Sequence, residues 1–418
     1  MASISTAGFS ANDRQYQPPA RPIAVLCLDG CSDDYIDTAI ECGRMPNLEQ
    51  MIEGGFRAVA RGALPSFTNV NNSAIVTGVP PLKTGISGNF FLDPETGEEV
   101  MMNSSKYLRC GTILAAASAS GRKVAMVTAK EKLRDILSLD LPLASGEAFA
   151  FSTEKAAEAR SESHGIGDVE ELVGRPQPAI YSGDASLYVL DAGIVLIERG
   201  LADFCYLSLT DFMQHAHEPR EPEMLDFMAG IDAAIGKLLE LDCVVAATAD
   251  HGMNYKVNDD GTPNVIHLET MLTKQFGDGV RVICPITDPY VAHHGALGSA
   301  VTVHLDDSQH RVEVATFIGC LDGITEVLDR QGAERELELP ADRIGDLYVL
   351  SGQHVVLGRR PEDHDLSQLH GRLRSHGGRF EEQVPMLVSE PVTSETSDLR
   401  NFDIFDLACN FHLSREEA

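Results

Sequence analysis

Apolar residues in this chain gather into short, nearly unbroken runs, several of which end in aspartate or glycine. The runs "PIAVLCLDG" (22–30), "FRAVARGAL" (56–64), "KVAMVTA" (123–129), "DFCYLSLTD" (203–211) and "CVVAATADHG" (243–252) read as strands. Most show continuous apolarity rather than alternation, which predicts burial on both faces. Between them, apolar residues recur at helical spacing. "PNLEQMIEGG" (46–55), "NVNNSAIVTG" (69–78), "LRCGTILAAASASG" (108–121), "SLYVLDAGIVLIERG" (186–200) and "MLDFMAGIDAAIGKLLELD" (224–242) read as helices. Strands alternating with helices predict an α/β fold, with a mostly parallel central sheet and helices on both faces.

The pattern changes after about residue 254. Shorter β-rich pieces ("VRVICPI", "DLYVL", "HVVLG") and a helix near "HRVEVATFIGCL" predict a smaller α+β cap inserted over 255–372. "QVPMLVSEP" (383–391) then reads as a final core strand. The core is thus expected over 22–254 and 373–418, with residues 1–21 forming a polar, loose arm. No internal repeat or low-complexity tract is present.

Charge narrows the function. The 33 basic and 63 acidic side chains give a formal net charge of -30. That balance argues against nucleic acid and anionic membranes as general partners. A small anion needs a locally positive site, which metal ions can provide. The nine cysteines are scattered, odd in number and without a C-x-x-C pair, so neither a disulfide framework nor a cysteine zinc site is expected. The N-terminal stretch has no apolar signal core, and no run reaches the roughly 18 residues of a membrane span. A cytoplasmic, soluble protein is expected. The sequence carries no marker of assembly state, and a homodimer is compatible with it.

Three strands deliver carboxylates at their ends: Asp29, Asp211, and Asp250 beside His251. In open parallel sheets, ligands bind beyond the carboxyl ends of the strands. Converging carboxylates repel unless a positive charge sits among them. His215 follows Asp211 by four residues, the spacing that places both on one helical face. His376, in "RSHGGRF", lies just before the last core strand. Carboxylate and imidazole suit zinc, and six ligands suit two ions with open positions better than one tetrahedral ion. Alone, an Asp-Gly pair is usually a turn, and His217 in "HAH" competes with His215. The remaining histidines, among them His293, His294 and His370, are expected at the surface and at caps. Thr68 stands at a helix start, where it reads either as an ordinary N-cap or, beside a metal, as a nucleophile.

The motifs "LDG", "RMPNLEQM", "PSFTNVNNSAIVTGVPPLKTGISGNFF", "TDFMQHAHEP", "TADHGM" and "SHGG" together resemble the alkaline phosphatase superfamily, in the branch that contains nucleotide pyrophosphatases/phosphodiesterases. The resemblance implies one zinc on Asp29, Thr68, Asp250 and His251, and another on Asp211, His215 and His376, with manganese or iron as substitutes. It implies that Asn89 donates to a phosphoryl oxygen. "VAMVTAKEKLRDIL" is most similar to the branch members that cleave a carbon–phosphorus bond. There Lys130 and Lys132 would receive the carboxylate of phosphonoacetate, and Thr68 would pass through a phosphothreonine to give acetate and phosphate. Alone, the two lysines also read as a solvated helix start. The alternatives are a phosphodiesterase or nucleotide pyrophosphatase with the same metals, a mutase-like manganese relative, and a metal-stabilised module without turnover.

Overall fold

The computed structural model describes residues 4–288, 295–367, 369, 372–393 and 397–413. The expected strands form at β1 (Ile23–Cys27), β2 (Phe56–Arg61), β3 (Val124–Thr128), β5 (Phe204–Ser208) and β6 (Val244–Thr248). A strand not anticipated, β4 (Ala148–Ser152), joins them. Its "AFAFS" run is short and lacks the terminal Asp or Gly of β1, β5 and β6. In β1, β3, β4, β5 and β6 every residue is buried, which is why these runs show no alternation.

After the region expected as a cap, with β7 (Val280–Ile283), β8 (Ala300–Leu305), β9 (Ile324–Asp329) and β10 (Leu347–Ser351), the chain joins the core sheet again as β11 (Gln383–Val388). The core sheet has the order β2-β11-β6-β1-β5-β3-β4. All neighbours are parallel except at β11, which runs antiparallel to both β2 and β6. Helices α1 (Thr68–Thr77), α2 (Glu131–Leu137), α3 (Gly183–Glu198), α4 (Phe212–Ala216) and α5 (Pro222–Glu240) connect or cover it. The helix expected over 108–121 is shorter, Ile113–Ala119, because Thr112 caps it by accepting from the Ala115 N–H at 3.0 Å. No described helix is long and apolar enough to cross a membrane. All nine cysteines are free.

Residues 4–21 differ from the expected loose arm. Phe9–Ala11 and Arg14–Tyr16 pair as a hairpin. Phe9 stacks on Tyr16 with ring centroids 5.1 Å apart, and both are buried. The buried Arg122 guanidinium donates to the carbonyls of Ser5, Pro19 and Arg21. Two aromatic anchors and one distant arginine order a stretch whose overall polarity suggested freedom.

Strands β7 to β10 form an antiparallel sheet of order β7-β8-β10-β9 within the region expected as a cap. Asn254–Tyr255 pairs antiparallel with Arg374–Ser375, so the outgoing and returning chain run side by side. A buried ion pair sits at this neck. The Lys256 ammonium donates to Glu381 Oε1 at 2.8 Å, Ser299 Oγ at 2.7 Å and the Gln353 carbonyl at 2.7 Å. Both charged side chains are fully buried. Lys256→Met strands the Glu381 charge and is expected to cost about 3–5 kcal/mol. Urea unfolding reads this as a lowered midpoint, and Lys256→Met with Glu381→Gln should recover part of the loss.

Candidate active site and metal centre

Four adjacent strands, β6, β1, β5 and β3, run parallel with Thr248, Cys27, Ser208 and Thr128 in register. Each chain then continues past the same edge, to Asp250, Asp29, Asp211 and Lys130 respectively. The strand order therefore sets the order of charges. Asp29 lies between the other two aspartates, and Lys130 lies beside Asp211. The Lys130 ammonium is 2.9 Å from Asp211 Oδ1 and 4.0 Å from Asp29 Oδ2. The three aspartates are buried.

The histidines arrive around this row in one tautomer. Nδ1 of His215 faces the Arg374 carbonyl at 2.9 Å, that of His251 the Gly252 carbonyl at 3.0 Å, and that of His376 the Ser66 carbonyl at 2.7 Å. A carbonyl only accepts, so Nδ1 carries the proton and Nε2 presents a lone pair. Those lone pairs face carboxylates. His215 Nε2 is 3.0 Å and His376 Nε2 3.8 Å from Asp211 Oδ2, while His251 Nε2 is 3.4 Å from Asp29 Oδ1 and 3.7 Å from Asp250 Oδ2. The rings of His251 and His376 stack with centroids 3.5 Å apart.

Both oxygens of Asp29 and Nε2 of His251 are buried without a hydrogen-bond partner. Such orphaned groups are rare and costly. Acceptors facing acceptors in a buried site are the donor set of a cation. Two groups result, Asp211 with His215 and His376, and Asp29 with Asp211 and His251; within each, the ligand-capable atoms lie within 4.8 Å of one another. Asp211 thus adjoins both groups, whereas the motif reading placed it in one. Asp250 stands at the second group through its contact with His251.

Titration follows the same geometry. Burial, then Asp211 and Asp250, pushes the Asp29 carboxyl well above the usual range. Asp250 is pushed up to about 6, chiefly by burial. Burial also acts to raise Asp211, but the adjacent Lys130 ammonium acts against it, and that carboxyl lies well below its ordinary value. Burial pushes the His376 imidazole well down, which keeps it neutral. Asp211 and Asp29 outweigh burial at Lys130 and hold its ammonium charged.

Thr68 is the first residue of α1, and the N-cap is Phe67. The Asn69 N–H in the same turn donates to Asn89 Oδ1 at 3.0 Å, which fixes the orientation of the Asn89 amide. Two glycines let these loops approach. Gly30 has φ +72°, and a Cβ there would lie 3.0 Å from Asp211 Cβ and 3.2 Å from Gln214 Cβ. Gly377, at φ +121°, sits where a Cβ would fall 2.3 Å from the Phe67 ring. Gly30→Ala meets both backbone strain and the Asp211 side chain. A loss of about 1–3 kcal/mol is expected in denaturant unfolding.

Lys130 and Lys132 line a pocket of about 350 Å³ beside the carboxylates, with Tyr181, Phe212, Thr210 and Asp288 among its walls. Lys132 pairs there with Asp288. His217 lies away from the row, paired with Glu221 at 2.6 Å. His293, His294 and His370 lie outside the described residues.

Motif reasoning missed Arg374. Its carbonyl orients His215, its Nε donates to the Gln214 carbonyl at 2.9 Å, and its guanidinium lies 4.6 Å from the centre of the Tyr255 ring. Its place two residues before His376 was the available signal. Asp288 was also missed, and nothing local marks it.

Residues 23–379 match the model of the type I phosphodiesterase / nucleotide pyrophosphatase family. The structure is similar to phosphonoacetate hydrolase from Sinorhizobium meliloti 1021 in complex with phosphonoformate, with a TM-score of 0.94, 42% sequence identity, and coverage of 98% of this chain and 100% of that chain. Against the same enzyme in complex with phosphonoacetate the TM-score is 0.93, at 42% identity and the same coverage of 98% and 100%. Murine ectonucleotide pyrophosphatase / phosphodiesterase 5 shares the fold, with a TM-score of 0.65 at 15% identity over 93% of this chain and 94% of that one. The motifs, the strand-end carboxylates and the family match over most of the chain agree: the chain belongs to the type I phosphodiesterase / nucleotide pyrophosphatase family, within the alkaline phosphatase superfamily.

Proposed function

We propose that this protein hydrolyses the carbon–phosphorus bond of phosphonoacetate to acetate and phosphate. The observation that carries the reading is full-length similarity, at 42% identity, to a phosphonoacetate hydrolase that holds phosphonoacetate. The two lysines on the pocket wall support it, because this substrate carries a carboxylate as well as a phosphonate.

Asp29, Thr68, Asp250 and His251 would hold one zinc ion, and Asp211, His215 and His376 a second, the pair supplying positive charge to the phosphonate oxygens and lowering the pKa of bound hydroxyl groups. The Nδ1 hydrogen bonds of the three histidines hold their Nε2 lone pairs toward the ligand positions. Asn89, its Oδ1 tied to the Asn69 N–H, keeps its NH₂ for a phosphoryl oxygen. The Thr68 hydroxyl gives its proton to solvent and attacks phosphorus. An O–P bond forms as the P–C bond breaks, and the electron pair moves onto the CH₂ carbon and into the carboxylate. Lys130 and Lys132 stabilise that enolate-like charge until the carbon takes a proton from solvent. Water then cleaves the phosphothreonine, returning the hydroxyl and releasing phosphate.

The direct test is phosphate release from phosphonoacetate beside hydrolysis of a nitrophenyl nucleotide ester. Faster turnover of the ester would transfer the assignment to a phosphodiesterase. Lys130→Ala and Lys132→Ala are each expected to cut kcat/KM for phosphonoacetate by about a hundredfold or more, and that for an aryl phosphate much less. Equal losses on both substrates would exclude a carboxylate-binding role.

A further inference from the structure

We propose that Asn72 is a positioning residue that holds Asp250 and the Thr68 turn in fixed relation and thereby sets one of the two metal positions. The inference rests on the assignment of Asp250 as a ligand. Asn72 is fully buried in α1, one turn beyond Thr68. Asparagine is a poor residue for a helix interior, because its side chain competes for backbone hydrogen bonds. Three of its four partners here are instead tertiary.

The Asn72 amide uses its full capacity of four hydrogen bonds. Nδ2 donates to the Thr68 carbonyl at 3.1 Å and to Asp250 Oδ2 at 3.3 Å. Oδ1 accepts from the Tyr206 hydroxyl at 2.8 Å and from Ser208 Oγ at 2.8 Å. The orientation is unambiguous, since a carbonyl and a carboxylate on one side can only accept. Tyr206 and Ser208 belong to β5, so one amide ties α1, β5 and the end of β6 together.

The consequence concerns Asp250. Its Oδ1 is held by backbone, accepting from the Gly30 N–H at 3.2 Å and the His251 N–H at 3.0 Å. Its Oδ2, the oxygen that faces His251 Nε2, is held by Asn72. Asp29, by contrast, has neither oxygen hydrogen-bonded. Within the Asp29, Asp250 and His251 set, Asp250 is therefore the anchored carboxylate, and Asn72 the side chain that anchors it. Being neutral, the amide orients the carboxylate without taking up its charge. The Asp211, His215 and His376 group receives nothing from Asn72.

The test is a zinc titration of metal-stripped protein, run separately from any turnover assay. Wild type is expected to bind two ions. Asn72→Ala should weaken one of them by about 10–100-fold and leave the other unchanged. Tyr206→Phe keeps the amide but removes one of its supports, and should weaken the same ion by a smaller factor. Equal weakening of both ions, or a lower melting temperature with both affinities intact, would reduce Asn72 to a packing role and overturn the proposal. If Asn72→Ala does not fold, the Tyr206→Phe titration decides by the same criteria. A wild-type protein without two zinc sites overturns it too. A wild type that binds two zincs yet leaves phosphonoacetate intact defeats the substrate assignment alone, and the comparison of variants still judges Asn72.

Discussion

Thr68→Ala is expected to fold, to keep most of its metal, and to lose turnover of phosphonoacetate by a factor on the order of 10⁴–10⁶. The size follows from removing a nucleophile rather than a contact. The clean separation from stability follows from the structure. In isolation, Thr68 read first as an ordinary helix cap, and loss of a cap costs about 1 kcal/mol. Phe67 occupies the cap position, and no side chain caps this helix. Removing the Thr68 hydroxyl therefore removes no cap, and the expected stability change is within about 0.5 kcal/mol. Acid quenching during turnover should leave phosphate on Thr68 of the wild type and none on the variant. An active Thr68→Ala enzyme, or a wild type never labelled at Thr68, would point to direct attack by water.

Chelation gives the second large effect, and it should appear in two measurements at once. Three buried carboxylates meet at neighbouring strand ends, with Lys130 as the ammonium among them. Without metal, both Asp29 oxygens lack a hydrogen-bond partner in a buried site. A ligand that binds only the native state stabilises it by about 4 kcal/mol at a thousandfold excess over its Kd. Stripping should thus abolish activity and lower the melting temperature together, and added zinc should restore both. Parallel additions of manganese and iron identify which ion the site prefers. A chelator-treated protein that kept its activity and its melting temperature would remove the metal from the mechanism.

Much of this site was legible before the fold was seen. Asp29, Asp211 and Asp250 each close a strand whose length is set by a run of apolar residues, so local pattern placed all three at one sheet edge. The separation of four residues between Asp211 and His215 is likewise local, and the structure keeps the pair in contact at 3.0 Å. The N-terminal arm failed for the complementary reason. Its composition is polar, but Phe9 and Tyr16 are anchored by a core that lies far along the chain. Strand β4 was missed because its four successive apolar residues, Ala148 to Phe151, show no polar alternation and are too few to separate a buried strand from a helix.

By itself, then, the sequence determined the α/β class, the strand ends and the residues they carry, because apolar runs and helical spacing act over a few residues. Tertiary structure alone decided which strands are neighbours. The order β6-β1-β5-β3 puts Asp29 between two aspartates, sets Asp211 against both histidine groups and turns Lys130 inward. It also decided the pairings of Arg374 with His215, Lys132 with Asp288 and Asn72 with Asp250. Each joins residues more than 150 positions apart. Such contacts depend on how elements pack against one another, which no local spacing in the chain encodes.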